Sequence, residues 1–410
     1  MDDKQKVILD TNILMGCRDE KALLDEFCDH EVMVTLGTVR ELDRLKGLDG
    51  RRGFEARNAL RIIRQNSDII NVVLTEKDKE EIKESTTVDS QIINYAKVNN
   101  SKVLTNDLSM ATISKSLQVP TDQYEPPADA YRKGHHTVEL GAELREGISI
   151  FSLLPLLEGV RANEYIIVEE FGRQSLIYKK LPNNGGYEEI KNPIIKTKQF
   201  NDVCAKNRDP YQKCAIDALK TNQINIITGP AGSGKTFLAL AAQWALVESG
   251  EISGITIFVN PIKTKNSKEV GFYKGDKNQK LLQEGIGSIL ASKLGDGSIE
   301  TIMDYILDGT ILILPVSDIR GYEVNGNRSL FITEAQNLDV ELMKLALQRA
   351  EESKVFIEGD PSTQLDGWMY EGSNNGMKRA IEVFSGEELF GTVALENIYR
   401  SEIAKIADKM

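Results

Sequence analysis

The eight residues Gly229, Pro230, Ala231, Gly232, Ser233, Gly234, Lys235 and Thr236 constrain this chain more than any other stretch. They fit G-x-x-x-x-G-K-[ST], with the apolar run "INII" just before and "FLALAA" just after. A strand that turns through glycines into a helix offers backbone N–H groups and a helix N-terminus to an anion. The pattern therefore predicts a parallel α/β sheet behind the loop. Lys235 would reach the β- and γ-phosphates of ATP, and the Thr236 hydroxyl would ligate Mg2+. Upstream, the Gln212 amide can donate to and accept from an adenine edge at once.

Two later apolar stretches, "SLFIT" and "KVFIEGD", read as strands of the same sheet. In an open parallel sheet the carboxyl ends of strands line the ligand crevice. Glu334 is the candidate that orients and polarises an attacking water. Gln336, Asp360 and Gln364 would face the γ-phosphate, with either glutamine sensing it or relaying nucleic-acid contact. Where such a strand is expected to end in aspartate, this chain has Thr333. The expectation is retained ATP hydrolysis with weakened Mg2+ affinity, and Asp360 as a substitute charge. Arg320, Arg349 and Arg400 are candidate transition-state arginines, a role worth about 10³–10⁵ in rate where it operates.

The amino-terminal part has its own acidic pattern. "KVILD" and "KVLTND" read as strands closed by Asp10 and Asp107, "TVRELDRL" supplies Glu41, and "TTVDSQIINYA" opens a helix with Asp89. Singly, each acid reads as a helix cap or a helix-dipole partner. Together, at one edge of a parallel sheet, four carboxylates repel unless a divalent cation such as Mg2+ or Mn2+ neutralises them. Beside Glu41 lies a basic stretch with Arg44, Lys46, Arg51, Arg52, Arg57, Arg61 and Arg64, a candidate track for nucleic-acid phosphates. Lys263, Lys265 and Lys268 form a second candidate track.

These features divide the chain into residues 1–120 (α/β, parallel sheet), a proline-rich linker 121–136, a small β-rich unit 137–197 expected to be antiparallel, and residues 198–410 (P-loop α/β). The start "MDDKQK" does not read as a signal peptide, and "FLALAAQWALV" is too short to span a bilayer, so a cytoplasmic protein without membrane contact is expected. Cys17, Cys28, Cys204 and Cys214 form no CxxC pair, which argues against zinc. A net charge of −12 argues against coating nucleic acid by bulk charge.

The motifs "GPAGSGKT", "VGFYKGD", "EAQN", "GDPSTQ" and "IYRSEIAKIA", in this order, resemble the PhoH ATPases, which are similar to the motor core of superfamily-one helicases, and the resemblance implies a RecA-like P-loop fold. That family usually carries Asp-Glu-Ala-Gln and Arg-Pro where this chain has Thr333-Glu334-Ala335-Gln336 and Asn260-Pro261. Residues 5–120 resemble the PIN-domain nucleases. That resemblance makes Asp10, Glu41, Asp89 and Asp107 metal-site acids for cleaving single-stranded RNA, with Asn12 in support. The two halves together resemble two-domain PIN–PhoH proteins, which are ATP-dependent RNA-unwinding ribonucleases. The resemblance further implies Arg400 as the terminal arginine, a homo-oligomer in the form of a hexameric ring, and a small β-barrel between the halves. A competing expectation is a nucleotide-gated RNA-binding switch with slow turnover and an independent nuclease.

Overall fold

A computed structural model of the chain describes residues 4–17, 20–75, 87–124, 131–139, 150–169, 175–259, 286–294, 298–362, 365, 367 and 370–399. Gln364, Arg400, the Asn260-Pro261 pair and Lys263, Lys265 and Lys268 lie outside these residues. The chain divides into two compact units, residues 1–130 with 371–373, and residues 131–370 with 374–410.

The first unit is built on strands β1 (Gln5–Leu9), β2 (His30–Thr35), β3 (Ile70–Val73), β4 (Lys102–Leu104) and β5 (Thr121–Asp122). All are parallel, in the order β3-β2-β1-β4-β5. Alternate residues of β1 point to opposite faces, and both faces are covered. Val7 and Leu9 pack with Leu42, Ala56, Ala59 and Ile62 of the helices Leu36–Leu45 and Arg51–Gln65. Ile8 packs with Ile92, Ile93 and Ala96 of the helix Val88–Val98. Thr35 and Thr87 cap their helices by accepting from the Thr38 and Ser90 amides. The strand order reverses direction between β1 and β4, and a crevice opens at the carboxyl ends of such a pair.

The second unit holds a six-stranded, all-parallel sheet in the order β12-β11-β13-β14-β10-β15. Its strands are β10 (Ile224–Thr228), β11 (Gly254–Val259), β12 (Ile311–Pro315), β13 (Arg328–Ile332), β14 (Val355–Gly359) and β15 (Phe390–Ala394). One face carries Ile227, Phe331 and Phe356 against Leu238, Ala239 and Ala242 of the helix Lys235–Ser249. The other carries Ile226, Ile332 and Ile357 against Met343 and Met377.

The middle strands differ from the antiparallel unit and small barrel expected. β6 (His135–Glu139), β7 (Tyr165–Glu169), β8 (Leu176–Lys180) and β9 (Tyr187–Glu189) form a four-stranded sheet, and β6 pairs parallel to β7. The segment between them carries a helical turn, Ile150–Leu153, and a crossover of this length brings the chain back in the same direction. The "PNNGG" turn joins β8 and β9 with Asn183, Asn184 and Gly186 all at positive φ. Tyr165 and Ile167 of β7 point into the core of the P-loop sheet, while Ile166 and Val168 face Leu154 and Val160. The Tyr165 hydroxyl donates to Asp217 at 2.8 Å and Lys179 to Thr221 at 2.7 Å, fixing this sheet on the helix Pro210–Thr221.

Candidate functional sites

In the first unit, apolar β1 delivers Asp10 to the carboxyl edge of the sheet, where it is 4% exposed. Asp10 caps the helix Thr11–Met15 by accepting from the Thr11 amide at 2.6 Å. Its other oxygen accepts from Asn12 Nδ2 and Thr105 Oγ1, each at 2.7 Å. The Thr11 hydroxyl donates to Glu41 Oε2 at 2.7 Å, and Asn12 Oδ1 accepts from the Asn106 amide at 3.1 Å. Asp107 caps the helix Leu108–Ser116 through the Ser109 and Met110 amides. Asp10 and Asp107 thus both cap helices. Burial, with the charges of Asp89 and Glu41 adding to it, pushes Asp10 up to about 6 despite the donors Thr105 and Thr11. Asp89 is raised by burial and by the charges of Asp107 and Glu41.

The four acids therefore share one field. Among the described residues none of them has an ion-pair partner, and no three acid, imidazole or thiol groups stand in ligand geometry for one ion. They form an electrostatically coupled group rather than a closed coordination shell. The donor set, all carboxylate oxygens with unrelieved like-charge coupling, fits a hard divalent cation such as Mg2+ or Mn2+. Parts of the neighbouring basic stretch serve local structure: Arg57 donates to the Lys46 carbonyl, Arg51 to Glu55 and Arg61 to Asn58.

In the second unit, β10 runs into the glycine loop, and Gly229, Gly232 and Gly234 all take positive φ. A Cβ on Gly229 would meet the Leu395 carbonyl at 2.4 Å, so the chain leaving β15 requires glycine there. The Lys235 ammonium donates to the carbonyls of Gly229 at 2.7 Å and Pro230 at 3.0 Å, spanning the loop that it would share with phosphates. Gln212 is buried, with Nε2 on the Ser233 carbonyl at 3.1 Å and Oε1 accepting from the Lys206 amide at 2.8 Å. Its amide braces the loop from behind. The Tyr399 amide donates to Gly232 at 3.0 Å, its hydroxyl to Asp209, and its ring lies 4.9 Å from the Lys206 ammonium. The chain just before Arg400 is thereby moored to the loop.

At the ends of β13 and β14, Glu334 is exposed and held at φ 51°, ψ 38°, a conformation sparsely used by non-glycine residues and found at functional sites. Gln336 is fully buried; Nε2 donates to Glu334 Oε2 at 2.7 Å and Oε1 accepts from the Asp360 amide at 3.2 Å. Gln336 thus ties Glu334 to the loop after β14 rather than pointing outward alone. The Asp360 carboxylate accepts from the Ser362 amide at 3.0 Å. The carboxylate beside Thr333 is Glu358: the Thr333 hydroxyl donates to Glu358 Oε1 at 2.5 Å. Sequence reasoning missed Glu358. Its signal was a charged residue inside the apolar run "VFIEG".

A glycine loop between strand and helix, with Glu334 and Gln336 at the end of β13, one strand removed from β10 across β14, defines a P-loop nucleotide-binding unit. The PhoH-like protein profile matches residues 205–410 and the PIN domain profile residues 7–125, and the chain belongs to the PhoH-like family, with a nuclease-type PIN domain ahead of its P-loop domain. Protein PhoH2 of Thermobispora bispora is 25% identical over 98% of this chain and 95% of its own length. Protein PhoH2 of Bacillus subtilis is 32% identical over 54% of this chain, and Protein PhoH of Escherichia coli 27% over 48%. The chain spans about half the length of these last two, 52% and 55%. Among solved structures, a domain of a functionally unknown protein from Methanocaldococcus jannaschii aligns with 31% of this chain and 96% of its own, at 21% identity and a TM-score of 0.25. Among the described residues no helix is long and apolar enough to cross a membrane.

Proposed function

We propose that this chain is an ATP-driven ribonuclease. Its P-loop domain hydrolyses ATP with Mg2+ to move along or unwind RNA, and its PIN domain cuts single-stranded RNA with one or two divalent cations. The observation that carries this reading is the pairing, in one chain, of a braced phosphate loop with a coupled four-carboxylate group.

On the nucleotide side, Lys235 exchanges its bonds to Gly229 and Pro230 for phosphate oxygens. The N–H groups of the loop and the dipole of the helix behind it add to that attraction. Thr236 holds Mg2+, and Glu334, fixed by Gln336, orients the attacking water. On the nuclease side, Asp10, Glu41, Asp89 and Asp107 hold the cation, whose contribution is an activated water and charge stabilisation at the scissile phosphate. Thr11 and Asn12 keep Glu41 and Asp10 oriented. Arg44, Arg52 and Arg64 guide the phosphate backbone. We assign the protein to the cytoplasm and to a hexameric ring in which Arg400 reaches a γ-phosphate within the chain or across a subunit boundary. A purified protein that sediments as a monomer with and without ATP would overturn the ring.

Asp10→Asn is expected to abolish RNA cleavage and spare ATP turnover. Lys235→Ala should abolish turnover and, with it, cleavage of structured but not unstructured RNA. If Lys235→Ala cuts structured RNA at the wild-type rate, the motor is not coupled to the nuclease.

A further inference from the structure

Thr333 and Glu358 occupy neighbouring strand ends on the same side of the P-loop sheet. Ile332 pairs with Ile357, and Glu358 pairs with Ile227 of β10, the strand that runs into the phosphate loop. Two residues earlier on each strand, Phe331 and Phe356 pack on the helix Lys235–Ser249. By the two-residue alternation of strands, Thr333 and Glu358 therefore lie on that same helix-covered face, at the end where Lys235 and Thr236 begin the helix. Both are buried, at 5% and 1% exposure, and their side chains are hydrogen-bonded. The Glu334 amide approaches the same Glu358 oxygen at 3.4 Å.

We propose that Glu358 supplies the acidic function that β13 lacks at Thr333, so that one hydroxyl and one carboxylate, split across two strands, hold the hydration shell of the nucleotide's divalent cation. This rests on the nucleotide reading above. A carboxylate buried in an otherwise apolar strand is costly unless something answers its charge. Burial, and then the Glu334 charge, push the Glu358 carboxyl above its ordinary range, while the Lys235 charge and the Thr333 hydroxyl act the other way. A cation held beside Thr236 would stabilise the ionised form further. Thr333 aligns Glu358 through its hydroxyl, so the threonine is part of the metal-positioning unit and not a defect in it.

The test is binding of a fluorescent ATP analogue by the full-length protein, in Mg2+ and in EDTA. Wild type should bind more tightly in Mg2+. Glu358→Gln should lose about 10–100-fold of that Mg2+-dependent gain, as removal of groups behind metal ligands does, with its affinity in EDTA unchanged. The double substitution Thr333→Asp with Glu358→Thr moves the carboxylate back to β13 and should restore the gain. A brace between strands would alter the melting temperature without altering the Mg2+ dependence. Retention of the full Mg2+ gain by folded Glu358→Gln overturns the proposal while leaving the nucleotide site intact. Should Glu358→Gln fail to fold, the double substitution decides: a kept gain supports the proposal and a lost gain overturns it. No binding by wild type in either condition overturns the nucleotide reading itself.

Discussion

Asp10 caps a helix and stands in the field of Asp89 and Glu41 at once. Its ordered donors, Thr11, Asn12 and Thr105, keep the carboxylate fixed while burial and its acidic neighbours resist its charge. A cation that binds only the folded form raises stability by roughly 2.7 kcal/mol at a hundred times its dissociation constant. Mn2+ or Mg2+ should therefore raise the melting temperature of wild type, and much less that of the double variant Asp10→Asn, Asp89→Asn. Equal shifts in both would remove these acids from the metal site. Gln336 gives a second prediction. Replacing it by alanine frees Glu334, so ATP turnover should fall by about 10²–10⁴, the range of a misplaced general base, while nucleotide affinity changes little. A Gln336→Ala variant with near-normal turnover would show that Glu334 needs no brace. At this scale the four acids and the loop residues were legible, because strand-end acids and glycine spacing are local signals. Glu358 was not, since its meaning depends on a neighbouring strand and on Thr333 twenty-five positions earlier, the separation of their hydrogen bond.

Within the middle unit, a few strong polar contacts tie the chain around β6 to the start of β7. Glu164, just before β7, is 3% exposed and accepts from Arg132 at 2.8 and 2.7 Å, His136 at 3.1 Å and the Arg161 amide at 2.8 Å. Burial alone would raise its pKa, but donors His136, Arg132 and Arg161 hold it at about 2, below its ordinary 4.5. A depressed acid stabilises the fold above its unfolded value and loses that contribution as pH falls toward the folded one. The difference in stability between wild type and Glu164→Gln should shrink by roughly 3 kcal/mol as pH falls from about 4.5 toward 2. Denaturant titrations across that range check it, and a constant gap would count against the cluster. In the glycine loop, Gly229→Ala meets both a positive φ and the Leu395 carbonyl. Backbone strain of about 1–3 kcal/mol should follow, together with weakened nucleotide binding, both readable by thermal melts with and without ATP. The strands themselves were evident from apolar runs ending in polar residues. The parallel pairing of β6 with β7 was not, because β6 ("HHTVE") has little apolar content and its direction is set by the crossover beyond it.

Across the whole molecule, the proposed function puts two chemistries in one chain, each with its own disabling substitution. Asp10→Asn and Lys235→Ala mixed in one sample should recover RNA cutting on structured substrates, because an unwinding-competent chain can feed unstructured RNA to a cutting-competent one; no recovery would mean that unwinding and cutting must occur within the same subunit. The P-loop sheet also extends beyond its own strands. The Ala394 amide donates to the Lys133 carbonyl at 2.8 Å, His135 Nε2 sits 3.1 Å from the Ala394 carbonyl, and Tyr165 and Ile167 fill the core behind the helix Pro210–Thr221. The change in composition near residue 198 is therefore a poor place to cut the gene. A fragment starting there would leave an apolar helix face bare and the last strand short of a partner, and would be expected to precipitate on expression. One starting at Tyr131 keeps that cover and is the sensible unit to purify for calorimetry or crystallisation.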